Sequence, residues 1–339
     1  MIARAFHNWE RRLASVDTNR RVRPFAWGLD WIGLDGTANG DDPATKLAEF
    51  AAATVDRSDE FFSAPPTSDY SLEGGTLRFP SAIATPHAEN NTVVGRVFPA
   101  DPRRAGPRRR AVVVLPQWNA DSEGHVGLCQ LFARFGVTSV RLSMPYHDAR
   151  RPKDLERADF IVSPNIGQTL QVNRQAVLDA RRIVDWLERE GFDSIGIVGT
   201  SLGSCLSMLT MAHEPRLKAG AFNHVSPYFA DVVWSGLSTA HVRAGLEGHV
   251  DIERLRRIWM PISPWPYVER VRGRSVLLIY ARYDLTFPVP LSKQFVDRFR
   301  QLEIPHQRAV LPCGHYTTGK SPFKFIDGYH LTRFLVKAL

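Results

Sequence analysis

Residues 194–211, SIGIVGTSLGSCLSMLTM, leave little freedom for the chain around them. Ile195, Ile197 and Val198 form a short β-branched run of the kind that makes a buried strand. Gly199-Thr200-Ser201-Leu202-Gly203 then breaks the run, and Leu206, Leu209 and Met211 continue at helical spacing. A serine between a strand and a helix stands on a sharp, strained turn, and side chains two residues to either side would collide there, so both places need glycine. The helix that begins just after Ser201 aims unpaired backbone N–H groups, that of Leu202 first, at any oxyanion formed beside the serine. A glycine-rich turn that only packs a helix on a strand carries the same letters, so the meaning of the stretch depends on partners elsewhere in the chain.

Around it, short apolar runs alternate with helical patterns. Residues 76–79 and 92–98 read as opening antiparallel strands, and 111–115, 137–142, 217–225, 275–280 and 307–311 as further strands. Helices are expected from Val126 to a stop at Gly136, and over about 168–190, 290–302 and 328–339. This alternation implies an α/β fold: right-handed crossovers, a mostly parallel central sheet and helices on both faces. Residues 1–75 precede the pattern and read as an N-terminal extension packing on the core domain of residues 76–339. In the extension, Ile2, Phe6, Trp9 and Leu13 make an amphipathic helix that docks on the body of the protein or lies on a membrane surface, docking being the expectation. Phe25, Trp27, Leu29 and Trp31 follow, too aromatic for a free tail. Residues 227–270 interrupt the strand–helix rhythm and are expected to form a lid.

Composition narrows the function. The 339 residues carry 44% hydrophobic and 23% charged side chains, as soluble globular domains do, and no run is long enough to span a bilayer. No apolar segment follows the charged N-terminus, so no secretory signal is read. Cys129, Cys205 and Cys313 fall in separate elements without disulfide or metal spacing, which fits a reducing cytoplasm. The net charge of +8 gathers in arginine pairs and triplets without interleaved aromatics, which reads as solvated loops rather than a nucleic-acid surface. There is no Cys/His cluster for a metal, no Walker sequence and no G-x-G-x-x-G after a strand, so neither metal nor cofactor is expected.

A serine hydroxyl attacks only when a base takes its proton and an acid holds the base. Asp284 lies just past the 275–280 strand, in ARYDLTFP, and His315 just past the 307–311 strand, in PCGHYTTG. Loops at the C-terminal edges of parallel strands are where open α/β sheets place their sites, so both belong on the Ser201 side. His306 precedes its strand and His330 sits in the last helix, whereas His224 ends a strand near the site and is a candidate substrate contact.

From Leu77 to the C-terminus the chain resembles the α/β-hydrolase superfamily of serine hydrolases. More narrowly it is similar to the abhydrolase domain-containing protein eighteen group, on MPYHDARRPKD (residues 144–154) and on DWLEREGF (residues 185–192) leading into the serine turn. The resemblance implies the α/β-hydrolase fold, with the serine, acid and histidine falling on Ser201, Asp284 and His315 in the order this fold uses. It also implies a second oxyanion donor from the loop after strand 111–115. Where many relatives have His-Gly this chain has Pro116-Gln117, which puts the donor N–H on Trp118 or on Gln117. A second departure, His147-Asp148, falls where the group has Tyr-Gly, and both bear on oxyanion geometry and substrate choice. Arg150, Arg151 and Lys153 in the same loop either steer an anionic group or lie in solvent.

The implied activity is cleavage of an ester, thioester or related acyl bond through an acyl-enzyme, on a small-molecule or lipid acyl substrate. The alternative is a non-catalytic binding or scaffolding protein that keeps the fold. Neither an integral membrane segment nor a nucleic-acid partner is expected; weak membrane-surface contact is compatible with the N-terminal helix. Tyr228, Phe229, Trp234, Leu237, Trp259, Met260, Ile262 and Trp265 make the 227–270 insertion apolar enough to wall an acyl pocket, with Trp234 and Trp265 as the expected substrate contacts.

Overall fold

In a computed structural model, residues 1–34, 42–104 and 106–339 are described. Nine strands run in chain order as β1 (Ser71–Glu73), β2 (Thr76–Pro80), β3 (Thr92–Phe98), β4 (Arg110–Leu115), β5 (Thr138–Leu142), β6 (Ser194–Thr200), β7 (Leu217–Asn223), β8 (Ser275–Ala281) and β9 (Gln307–Leu311). They form one sheet in the order β1-β2-β3-β5-β4-β6-β7-β8-β9. The pairs β1–β2, β2–β3 and β3–β5 are antiparallel, and every pair from β5 to β9 is parallel. The α/β-hydrolase architecture expected from the sequence is therefore present. The sheet opens at Ser71, slightly ahead of the expected boundary at residue 76.

The helices are α1 (Ile2–Ala14), α2 (Pro43–Asp56), α3 (Ser58–Phe61), α4 (Val126–Arg134), α5 (Ile166–Arg189), α6 (Leu202–His213), α7 (Phe229–Ser235), α8 (Ala240–Leu246), α9 (Ile252–Ile258), α10 (Val289–Gln301) and α11 (Phe323–Ala338). Alternation along the buried strands divides the core. Val113 and Leu115 face the cluster that holds α5 and α6, while Val112 and Val114 face the cluster that holds α4 and α11. Helix α5 starts two residues before its expected position because the Asn165 side chain caps it, accepting from Gln168 N at 3.0 Å. Helix α11 starts at Phe323, five residues early. Among the described residues, no helix is long and apolar enough to cross a membrane.

The N-terminal extension packs on the body. Ala26 and Trp27 carbonyls accept the Ile166 and Gly167 N–H groups, each at 2.9 Å, and so satisfy the free donors at the start of α5. Helix α2, with an Asp42 cap and Pro43 at its first position, packs against α9 of the 227–270 insertion. The insertion thus meets the extension through α9.

Candidate active site

The serine turn has the geometry its glycines permit. Ser201 sits between β6 and α6 at φ 58°, ψ −121°, a conformation non-glycine residues rarely take. A Cβ on Gly199 would strike the Gly203 carbonyl, and one on Gly203 would strike the carbonyls of Leu115 and Pro116 at the end of β4. The neighbouring strand holds the turn in place: Ser201 N donates to Asn223 O at 2.8 Å, and Ser204 Oγ lies 2.7 Å from Ser201 O and 2.9 Å from His224 O.

The β8 and β9 loops bring two more groups to Ser201. His315 Nε2 lies 3.0 Å from Ser201 Oγ, and its Nδ1 lies 2.9 Å from Asp284 Oδ2. The carboxylate fixes the tautomer, because Nδ1–H must donate to it and Nε2 is left to accept the serine proton. Asp284 Oδ1 accepts the Thr286 and Phe287 N–H groups at 2.8 and 2.7 Å. Burial opposes the charge on Asp284, yet the adjacent imidazoles of His315 and His224 hold its carboxyl well below the usual carboxylate range. The Phe287 ring stacks on His315 with centroids 5.4 Å apart.

His224 is where the structure adds to the sequence reading. Its ring lines the cavity in front of Ser201, and its Nδ1 lies 2.8 Å from the same Asp284 Oδ2 that holds His315. The two imidazole centroids are 4.4 Å apart. His224, Asp284 and His315 are also the only group of metal-ligand type among the described residues, with ligand atoms within 4.8 Å of one another. Both imidazoles aim Nδ1 at one carboxylate oxygen, which is the geometry of two N–H donors on a shared acceptor rather than of lone pairs meeting at a cation.

Leu202, Gln117 and Trp118 line the same cavity as Ser201. The loop after β4 is held by side chains on every side. Trp118 Nε1 donates to Ala158 O at 2.8 Å, its ring stacks on His241, and the Arg157 guanidinium lies 5.2 Å from the ring centroid. Asn119, at φ 58°, donates its N–H to His147 Nε2 at 2.9 Å while His147 Nδ1 lies 2.9 Å from Pro145 O. Burial pushes the His147 imidazole down to about 4, so it stays neutral and can accept. The departure at His147 is thus a clamp on this loop, which no local sequence signal announced. Arg150 is neither steering nor solvated: it is fully buried, with Nη2 2.8 Å from Asp179 Oδ2. Arg151 lines the cavity, and Lys153 is exposed.

The cavity measures about 1100 Å³. Its apolar walls include Leu128, Leu131, Phe229, Val232, Val233 and Phe287, so the start of the insertion does reach the site. Trp234 and Trp265 do not, which corrects the expectation for them. The Trp234 ring lies under Arg243, and Trp265 packs between Tyr228 and Arg298. Trp259 is fully buried with Nε1 3.2 Å from Ile166 O, fastening the insertion to the start of α5.

Comparison with known proteins agrees with the fold. The family described as alpha/beta hydrolase domain containing 18 matches residues 102–240. Among solved structures, an acylaminoacyl peptidase of Pyrococcus horikoshii superposes with a TM-score of 0.59 at 17% identity, over 80% of this chain and 42% of its own. Acetyl xylan esterase 1 of Thermoanaerobacterium superposes at 0.62 and 14% identity, over 88% of this chain and 99% of its own. A Pyrococcus furiosus esterase gives 0.55 at 14% identity, over 81% and 97%. The chain thus spans less than half the length of the peptidase and nearly all of the two esterases, and at these identities the likeness is one of fold.

Proposed function

From the premise that the chain is an α/β-hydrolase-fold protein, similar over residues 102–240 to the alpha/beta hydrolase domain containing 18 family, we propose that it is a serine hydrolase of ester, thioester or related acyl bonds. One contact carries the proposal: His315 Nε2 reaches Ser201 Oγ at 3.0 Å while its Nδ1 remains on Asp284 at 2.9 Å. As Ser201 Oγ bonds to the acyl carbon, its proton passes to His315 Nε2 and the carbonyl electrons move to oxygen. The Leu202 N–H, with that of Trp118 or Gln117, holds the oxyanion, and Asp284 stabilises the imidazolium. Collapse breaks the bond to the leaving oxygen or sulfur, which takes the proton from His315. Water then gives a proton to His315 as it attacks the acyl-serine, and a second collapse releases the acid and returns the proton to Ser201.

The cavity favours a substrate with an apolar acyl part, from a small molecule or a lipid, packed on Leu128, Leu131, Val232 and Val233. The three buried free thiols, Cys129, Cys205 and Cys313, support a cytoplasmic location. Labelling with a fluorophosphonate probe tests the central claim. Wild-type protein should be modified at Ser201 and the Ser201→Ala variant should not. A folded wild-type protein that stays unlabelled would overturn the enzyme reading in favour of a binding or scaffolding role.

A further inference from the structure

Helix α1 contains one acidic residue, Glu10, and it is completely buried. A carboxylate placed there loses its water, and an apolar side chain would have docked the helix without that loss. Among the described residues, every hydrogen bond the carboxylate recovers comes from the loop that carries His315. Its Oε2 accepts Tyr316 N at 2.9 Å, and its Oε1 accepts Thr317 N at 2.9 Å and Thr317 Oγ1 at 2.8 Å. Thr317 Oγ1 in turn accepts Gly314 N at 2.7 Å, which closes the clamp on the other side of the histidine. Gly314 is required for this approach, since a Cβ there would fall on the Glu10 side chain. A second tether from the same extension runs from Arg20 Nη2 to Tyr316 Oη at 2.6 Å. The helix also reaches the acid loop, because Phe6 stacks on Tyr283, the neighbour of Asp284, with centroids 4.6 Å apart.

We infer that Glu10 is a positioning residue for the hydrolase reaction, and that the N-terminal extension completes the active site by holding the His315 loop against the Asp284 loop. The inference rests on the hydrolase reading above for its effect on rate, though not for the geometry. His315 must keep Nδ1 on Asp284 and Nε2 on Ser201 at once. A backbone free to shift by about 1 Å would lose one of the two, at a cost on the order of 10²-fold in rate. A carboxyl group suits the task because its two oxygens accept from two consecutive N–H groups and a hydroxyl, fixing backbone and side chain together. Fragments 306 and 307 residues apart in sequence thereby become one rigid unit at the catalytic base.

The test uses the full chain. Glu10→Gln keeps the size of the side chain but sets an amide N–H₂ against a backbone N–H, so the clamp loses an acceptor. Well below its melting temperature, this variant should show fluorophosphonate labelling of Ser201 and kcat lowered roughly 10- to 100-fold, with KM within about twofold. A core variant of comparable melting temperature, Val140→Ala, should label as the wild type does. Thr317→Val attacks the clamp from the loop side and should lower the rate likewise, and Thr317→Ser, which keeps the hydroxyl, should recover most of it. That pair decides the matter if Glu10→Gln does not fold. A second measurement is independent of activity: the downfield proton resonance of His315 Nδ1–H, assigned by its loss in His315→Asn, should shift or broaden in Glu10→Gln. A folded Glu10→Gln protein with wild-type labelling and an unchanged resonance would overturn the inference. An unreactive wild-type protein would instead overturn the hydrolase reading, and the resonance would still decide the clamp.

Discussion

In the proposed reaction Ser201 and His315 handle a single proton between them, so neither should be of use without the other. Ser201→Ala and His315→Ala should each lower turnover by about 10⁴-fold or more while circular dichroism stays that of the wild type. The double variant should be little worse than either alone; a further large loss on combining them would mean that they act separately. Both residues, with Asp284, stand out as candidates in the sequence because each lies just past a strand and the three occur in one order. His147 and Glu10 were not legible. Their work is done on backbone N–H groups far away in the chain, at Asn119 and at Tyr316 and Thr317, and no local pattern records such a contact. His224 was half legible: its place at a strand end put it near Ser201, but a carboxylate oxygen shared with His315 is a fact of three-dimensional approach.

The 227–270 insertion divides its aromatic and aliphatic residues between two tasks that composition alone could not separate. Trp259 is a fastening, fully buried and hydrogen-bonded to the start of α5, so Trp259→Ala should cost about 3–5 kcal/mol of stability, read as a lowered denaturation midpoint. Val233 on α7 is a cavity wall. Val233→Phe should narrow the cavity and shift preference toward shorter acyl esters, by roughly 0.8 kcal/mol for each methylene that no longer finds cover. A chain-length series measured as kcat/KM checks this, and an unchanged profile would mean that acyl chains run elsewhere. Trp265→Ala, outside the cavity, should leave the profile as it is. The apolar periodicity also fails at the start of α11, where Lys324, Phe325 and Gly328 do not follow a helical stripe, and there the observed helix begins earlier than expected.

At the scale of the whole molecule, the sheet was readable almost strand by strand because strands buried on both faces are continuous runs of Val, Ile and Leu. What escaped was how the extension and the insertion fold over it, since polar caps and single aromatic contacts decide that. Stability against pH should carry a mark of another packing, that of α11 on β7, at Asp327, whose carboxyl burial pushes up from 3.8 to about 6 although Asn223 Nδ2 donates to it at 3.0 and 2.9 Å. A raised folded pKa favours the folded state fully below the unfolded value. Between about pH 4 and 6 the unfolded chain ionises first, so stability falls as pH rises, by up to about 3 kcal/mol in all. Asp327→Asn should flatten that slope in denaturant midpoints taken from pH 4 to 7; parallel curves for the two proteins would refute it. The contact between Gly203 and the Leu115 and Pro116 carbonyls reaches further, into how such a protein can be altered. The serine turn and the loop after β4 share one clearance, so loop 116–119 is free to vary only while residue 203 stays without a side chain. A library that randomises 116–119 to change substrate preference should therefore keep Gly203 fixed, and its survivors should tolerate Ala at that position no better than the parent does.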